Sequence, residues 1–103
     1  MERLVFIRTT RKERMVSLKS LLGKEVITSD GVYVGEVVDV EISEDWRVAK
    51  LIVRLERDAA KALGSRLVLR PRGAVDVSKV KGLGDYVTLS VSFSELKEAA
   101  ELL

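Results

Sequence analysis

Short runs in which hydrophobic and polar residues alternate recur along this chain, a pattern typical of β-strands with one buried face. The clearest two runs lie on either side of Asp30-Gly31 and are rich in β-branched residues. Because Asp-Gly readily adopts the positive φ angles of a two-residue turn, the pattern predicts a hairpin that turns at Asp30-Gly31. Glu36 interrupts the alternation after the turn, which indicates a bulge at Gly35-Glu36.

Four further runs bring the predicted strands to six. They cover residues 46–56, 66–70, 74–81 and 86–91, with Pro71 ending the second of them. In the first, alternation places Ala49, Leu51, Val53 and Leu55 on the inward face, whereas Ile52 does not fit. Short spacing between turn signals favours a small barrel over an open meander.

Capping residues predict three helical segments. Ser17 caps a turn over residues 18–22 that ends at Gly23. Asp58 caps a second helix, over residues 59–63, that ends at Gly64.

A C-terminal helix is predicted from Ser92 and Glu95, which match a capping box. One apolar stripe would run along this helix through Leu96, Ala99, Ala100 and Leu103. The whole pattern predicts a mainly β fold: a small six-stranded barrel, mostly antiparallel, with short helical turns and a C-terminal helix.

The composition excludes most familiar catalytic chemistry. The 103 residues contain no Cys and no His, so thiol and imidazole metal sites, disulfides and Ser-His or Cys-His nucleophile pairs are absent. Gly82-x-Gly84 lacks the other parts of a phosphate loop, which favours a turn. The local acidic cluster lacks the spacing of a calcium loop; it consists of Asp39, Glu41, Glu44 and Asp45. We expect no enzymatic activity, no cofactor and no metal.

Charge and hydropathy indicate the setting of the protein. A third of the chain is charged, and Asn and Gln are absent, as is typical of heat-adapted proteins. The net charge of +2 is too small to indicate nucleic-acid binding by itself. Apolar runs are too short for a membrane span or a secretory signal. We expect a cytoplasmic protein that meets membranes only through a partner.

A family resemblance rests on the pattern L-L-G-K-E-V, then D-G, then a second Gly followed by V-x-D-V. This pattern resembles the first half of a PRC-barrel domain. The resemblance is best over residues 17–53 and continues more loosely through residues 86–91 and the final Ser-x-x-Glu-Leu. It implies a PRC-type β-barrel over residues 17–103, with residues 1–16 as a separate N-terminal strand and basic tract.

The resemblance also implies a docking module with no shared active site. Two settings follow for a free-standing archaeal member. One is an adaptor in cell division that bridges other PRC-barrel proteins and the SepF-type anchor of the FtsZ ring. The other is ribosome or RNA maturation, as in the maturation factor RimM, whose separate N-terminal domain this chain lacks. The adaptor, acting as a homodimer, is the favoured hypothesis.

Surface residues are therefore the candidates for function. Trp46 is either an interface anchor or a lid on one end of the barrel, with core packing favoured. The apolar run Leu4 to Ile7 extends the sheet or pairs with a second copy by strand addition. Partner or dimer contacts are predicted at Phe6, Ile7, Trp46, Leu96 and Leu103.

A basic tract offers contacts for an anionic partner such as RNA, a membrane surface or an acidic protein. It consists of Arg8, Arg11, Lys12 and Arg14. Interleaved carboxylates dilute its charge and no aromatic platform accompanies it, so a solvated linker is the simpler interpretation and nucleic acid is not favoured. Arg70-Pro71-Arg72 is a second basic segment, predicted to be a stiff exposed turn.

Overall fold

The computed structural model describes residues 15–66 and 69–103. Its strands are β1 (Glu25–Ile27), β2 (Tyr33–Ile42), β3 (Val48–Leu55), β4 (Arg72–Asp76), β5 (Val80–Leu83), β6 (Tyr86–Leu89) and β7 (Ala100–Leu102). Its helices are α1 (Leu18–Leu21), α2 (Arg57–Ala62) and two 3-10 helices, Val77–Lys79 and Phe93–Glu98.

One curled sheet holds all of these strands. They lie in the order β5-β6-β1-β2-β3-β4-β7 and form a half-barrel. Within the described ranges β1 and β6 pair in parallel, and every other pairing is antiparallel. The mainly β, mostly antiparallel fold is thus confirmed, with seven strands where six were predicted.

Changes in two segments offset each other in the strand number, and the seventh strand comes from the C-terminal segment. Residues 74–81 form part of β4, a 3-10 turn and part of β5, because the Asp76 carboxylate accepts a hydrogen bond from the Ser78 N–H (2.9 Å) and ends β4. The strand predicted over residues 66–70 is not formed at Arg66, Leu69 or Arg70, and its two central residues lie outside the described ranges.

The C-terminal segment departs further from the sequence pattern. Glu95 accepts a hydrogen bond from the Ser92 N–H (3.2 Å), as a capping box requires, but the helix is a 3-10 helix that ends at Glu98. Ala100–Leu102 then pairs antiparallel with β4. The prediction of one helical stripe through Leu103 is therefore wrong, since so short an apolar pattern does not distinguish a helix from a strand.

The first hairpin has a longer loop than predicted. The Gly31 N–H donates to the Thr28 carbonyl (3.0 Å), and the Thr28 N–H donates to the Val32 carbonyl (2.9 Å). The loop therefore contains three residues, and among them Gly31 alone has a positive φ, 82°. A β-turn followed by a left-handed residue is the usual three-residue hairpin loop.

The pairings of β2 have three register breaks, two with the extra residue in β2 and one, next to Ile42, with the extra residue in β3. Val34 is the extra residue opposite β1, next to the predicted bulge, and Val38 is the extra residue opposite β3. Val34 and Val37 both face the core as a result, although strict alternation would place them on opposite faces.

The core lies inside the curl of the sheet and is built from aliphatic side chains. Its buried members are Val26, Val34, Val37, Leu51, Val53, Leu55, Ala59, Ala60, Val75, Val87, Leu89, Val91, Leu96, Ala99 and Ala100. The inward orientation predicted for Leu51, Val53 and Leu55 is confirmed, whereas Ala49 is only partly buried and lies outside this cluster. Ile52 is also buried but does not belong to this cluster.

The helices are short and capped locally. Ser17 caps α1 as predicted, accepting a hydrogen bond from the Ser20 N–H (3.1 Å). The cap of α2 is Glu56, whose carboxylate accepts from the Asp58 and Ala59 N–H groups (2.7 and 3.1 Å). The predicted cap at Asp58 is therefore wrong. No helix in the described ranges is long and apolar enough to cross a membrane.

Gly35 permits the close approach of β2 to β3. A Cβ atom there would collide with the Arg54 carbonyl oxygen and lie 2.9 Å from Cγ1 of Val53. We expect Gly35→Ala to lower the free energy of unfolding by about 3 kcal/mol, because backbone and core must both shift. Urea unfolding measures this loss. Gly84→Ala is the control, since its Cβ would meet nothing within 4 Å, and an equal loss there would contradict the account.

Asp30 ties the first hairpin loop to the C-terminal segment. Its carboxylate accepts hydrogen bonds from the Thr28 hydroxyl and from the Phe93 N–H (3.2 Å). The Thr28 bond, foremost, lowers the pKa of Asp30 below its usual 3.8. The ionised carboxylate therefore stabilises the fold fully above that pH, and this contribution is lost as the pH falls through the lowered pKa.

We expect the stability of the wild-type protein to fall more steeply below pH 3.8 than that of Asp30→Asn, which cannot titrate. Urea midpoints of both proteins across the acidic range test this. Parallel curves would show that Asp30 makes no such contribution.

Candidate interaction surfaces

The loop between β2 and β3 holds a tryptophan in an unfavourable conformation. The Ser43 N–H donates to the Arg47 carbonyl (2.8 Å), and the Trp46 N–H donates to the Ser43 carbonyl (2.9 Å). Trp46 has a φ of 65°, in the left-handed region that a bulky side chain rarely adopts. Such a conformation costs on the order of 1 kcal/mol or more.

The first hairpin loop provides an internal comparison. It has the same two backbone hydrogen bonds, and Gly31 stands where the second loop has Trp46. A hydroxyl also donates to an aspartate two residues later in both loops, from Thr28 to Asp30 and from Ser43 to Asp45. Trp46 thus occupies a position that local geometry assigns to glycine.

Trp46 lies at the outer end of the β2–β3 hairpin and is 87% exposed. Its favoured assignment to the core is therefore wrong, because β3 begins only at Val48 and the loop carries the indole ring beyond the sheet. Ile42 is 54% exposed and is the cross-strand partner of Val48, which is also exposed. We call Trp46, Ile42 and Val48 together the hairpin tip.

Acidic residues surround the hairpin tip. Glu41, Glu44 and Asp45 are exposed there, against two cations, Arg47 and Lys50, the cross-strand partner of Glu41. Nε of Arg47 lies 3.6 Å from Oδ2 of Asp45, and both side chains are mostly in solvent. An ion pair so exposed contributes little to stability. The hairpin tip is therefore an apolar group with a net negative surround.

A cleft of about 670 Å³ lies at the other end of the same hairpin, between β2, β3, α2 and the segment before β4. We call it the basic cleft. Its lining residues are Tyr33, Glu36, Arg54, Leu55, Glu56, Arg57, Ala60, Lys61, Ser65, Arg66, Leu69, Arg70 and Pro71.

Both carboxylates of the basic cleft are already engaged. Glu36 forms an ion pair with Arg54, its cross-strand partner, and Glu56 caps α2. Among the described residues, the other four cations of the cleft form no ion pair with a carboxylate; they are Arg57, Lys61, Arg66 and Arg70. The cleft therefore presents unneutralised positive charge.

Tyr33 gives the basic cleft an aromatic wall and a hydroxyl donor. The pKa of Tyr33 is raised, mainly because the hydroxyl is partly buried and secondly because the carboxylate of Glu36 is nearby. The hydroxyl therefore stays protonated at neutral pH. Leu69, 92% exposed, adds an apolar side chain to the lining.

The other residues singled out from the sequence lie elsewhere. Leu96 is 1% exposed and belongs to the core, so it presents no surface to a partner, whereas Leu103 is exposed after β7. The remaining candidates lie outside the described residues; they are Phe6, Ile7, Arg8, Arg11, Lys12 and Arg14. In the described ranges, His, Cys, Asp and Glu side chains form no group of three suited to a metal ion.

Sequence reasoning missed both the shape of the hairpin tip and the basic cleft. The signal for the tip was available in the repeated pattern Thr28-x-Asp30-Gly31 and Ser43-x-Asp45-Trp46. For the cleft, the basic segment Arg70-Pro71-Arg72 was a partial signal, since Arg70 and Pro71 line it. The cleft itself could not be predicted, because α2 and the segment before β4 come together only through tertiary packing.

A curled, mainly antiparallel half-barrel with exposed apolar and charged surfaces is the architecture of a small interaction module. A family model of the PRC-barrel domain matches residues 13–96. The chain belongs to the PRC-barrel family. None of the curated proteins compared with it matches.

We expect Trp46→Gly to raise the free energy of unfolding by about 1 kcal/mol, because glycine relieves the left-handed backbone and little packing is lost. Thermal and urea unfolding measure the gain. Gly31→Ala, at the matching position of the first loop, should lower stability by a similar amount. A destabilised Trp46→Gly protein would show instead that the indole ring packs against its own chain.

Proposed function

We propose that this chain is a non-enzymatic adaptor that docks partner proteins through the hairpin tip. The observation that supports this most is Trp46, a large aromatic residue that is exposed and held at a glycine-type position. Backbone strain of this kind concentrates at functional sites. Tryptophan is also prominent among the few residues that dominate protein interfaces.

The surroundings of Trp46 suit a docking role. Ile42 and Val48 extend the apolar contact on both sides of the loop, and the carboxylates around them form a polar rim. An apolar centre with a charged rim gives affinity through burial and partner choice through charge. The favoured partner therefore combines an apolar pocket with basic residues.

The proposed setting is archaeal cell division, with other PRC-barrel proteins and SepF/FtsZ-type components as partners. Family membership supports the adaptor role in general, and the heat-adapted composition fits an archaeal source. In this setting the protein acts in the cytoplasm, self-associates, and meets the membrane only through a partner. The dimer contacts predicted at Phe6 and Ile7 stay predictions.

A second candidate function is a docking module in ribosome or RNA maturation, similar to RimM. The basic cleft favours it, because four cations without a carboxylate partner among the described residues would attract a phosphate backbone. Binding of this kind would weaken steeply as salt is added.

Affinity purification of the tagged protein from its own cells, with and without nuclease, separates the two functions. We expect division proteins to remain after nuclease treatment and to fall roughly tenfold or more in Trp46→Gly, as loss of a dominant contact implies. Leu18→Ala, which removes another exposed apolar side chain, is the matched control. Nuclease-sensitive ribosomal material, retained equally by Trp46→Gly, would replace the adaptor by the maturation function.

A further inference from the structure

Two surfaces of opposite charge lie at the two ends of the β2–β3 hairpin. The hairpin tip is apolar with an acidic surround, and the basic cleft is cationic with apolar and aromatic lining. Each surface thus has the chemistry that the other would bind.

The hairpin tip cannot reach the basic cleft of its own molecule. Tyr33 lines the cleft at the start of β2, and Ile42 belongs to the tip at the end of this ten-residue strand. At about 3.3 Å per residue, the two ends are roughly 30 Å apart. Any contact between tip and cleft therefore joins two molecules.

We propose that the hairpin tip of one copy inserts into the basic cleft of the next. This inference rests on the proposed docking function of the tip and names its partner as a second copy of this chain. In the contact, the indole ring of Trp46 packs on Leu69 and Pro71, and Glu44 and Asp45 face the cleft cations. Arg side chains also bind the face of an indole ring favourably.

The proposed contact differs from a symmetric dimer in its consequences. It joins two different surfaces, so every copy keeps one unused tip or cleft for a further copy. Such head-to-tail contacts produce closed rings or open filaments. A single-tryptophan contact is also small, so association should depend on protein concentration and weaken with salt, which screens the charges.

Two variants with complementary defects test the proposal. Trp46→Gly removes the apolar anchor and leaves the cleft intact. Arg57→Glu reverses one cleft charge and leaves the tip intact; it should fold, because an acidic residue in the first turn of α2 is favourable. If its circular dichroism shows unfolding, Lys61→Ala replaces it as the cleft variant.

Analytical ultracentrifugation at low salt gives the readout. We expect the mass of wild-type protein to rise with concentration, each variant alone to stay monomeric, and their equimolar mixture to stop at a dimer. The mixture has one intact tip and one intact cleft that can meet, and no further contact is available.

Three results would overturn the head-to-tail contact: a wild-type protein that stays monomeric, a mixture that stays monomeric, or an Arg57→Glu protein that associates as wild type does. The last would indicate a symmetric tip-to-tip contact. If any of these occurs while wild-type protein still captures other proteins through Trp46, only the self-docking inference fails. RNA that binds the cleft of a purely monomeric protein would likewise overturn it and favour the maturation function.

Discussion

The close approach of β2 and β3 at Gly35 is the constraint on which the rest of the structure depends. With no side chain at Gly35, the Arg54 carbonyl and Val53 can lie directly against β2. The pairing continues from there along most of both strands, which occupy the middle of the sheet. Because side chains from this pair also supply much of the core, a wider separation would loosen the sheet and the packing beneath it together.

Both candidate surfaces depend on the rigidity of that pair. Within the hairpin tip, Trp46 is held out by the last paired residues, Ile42 and Val48, and the basic cleft forms where β3 leads into α2. The carboxylates of the cleft serve structural roles, in the cross-strand pair with Arg54 and in the cap of α2, which leaves the remaining charge positive. Thus the interactions that stabilise the fold also determine the charge that a partner meets.

Sequence patterns predicted the architecture better than the surfaces. The hairpins, the central strands and the inward residues of β3 follow from alternation and turn residues, which act locally. The strand at Ala100–Leu102 does not, because its pairing with β4 is decided by a distant segment. Trp46 was identified as a candidate, but its exposure depends on where β3 begins. The predicted strand began at Trp46, two residues before the observed start at Val48, and this placed the indole ring in the core. The basic cleft required the docking of α2, which composition and spacing do not reveal.

The most direct measurement is acrylamide quenching of Trp46 fluorescence at increasing protein concentration, since the chain contains one tryptophan. We expect the indole ring to be fully accessible to acrylamide in dilute protein and to become protected as copies associate at low salt. Protection should disappear again when salt is added. An indole ring already protected in dilute protein would contradict the exposed hairpin tip, and one equally accessible at every concentration would contradict its use as a contact between copies.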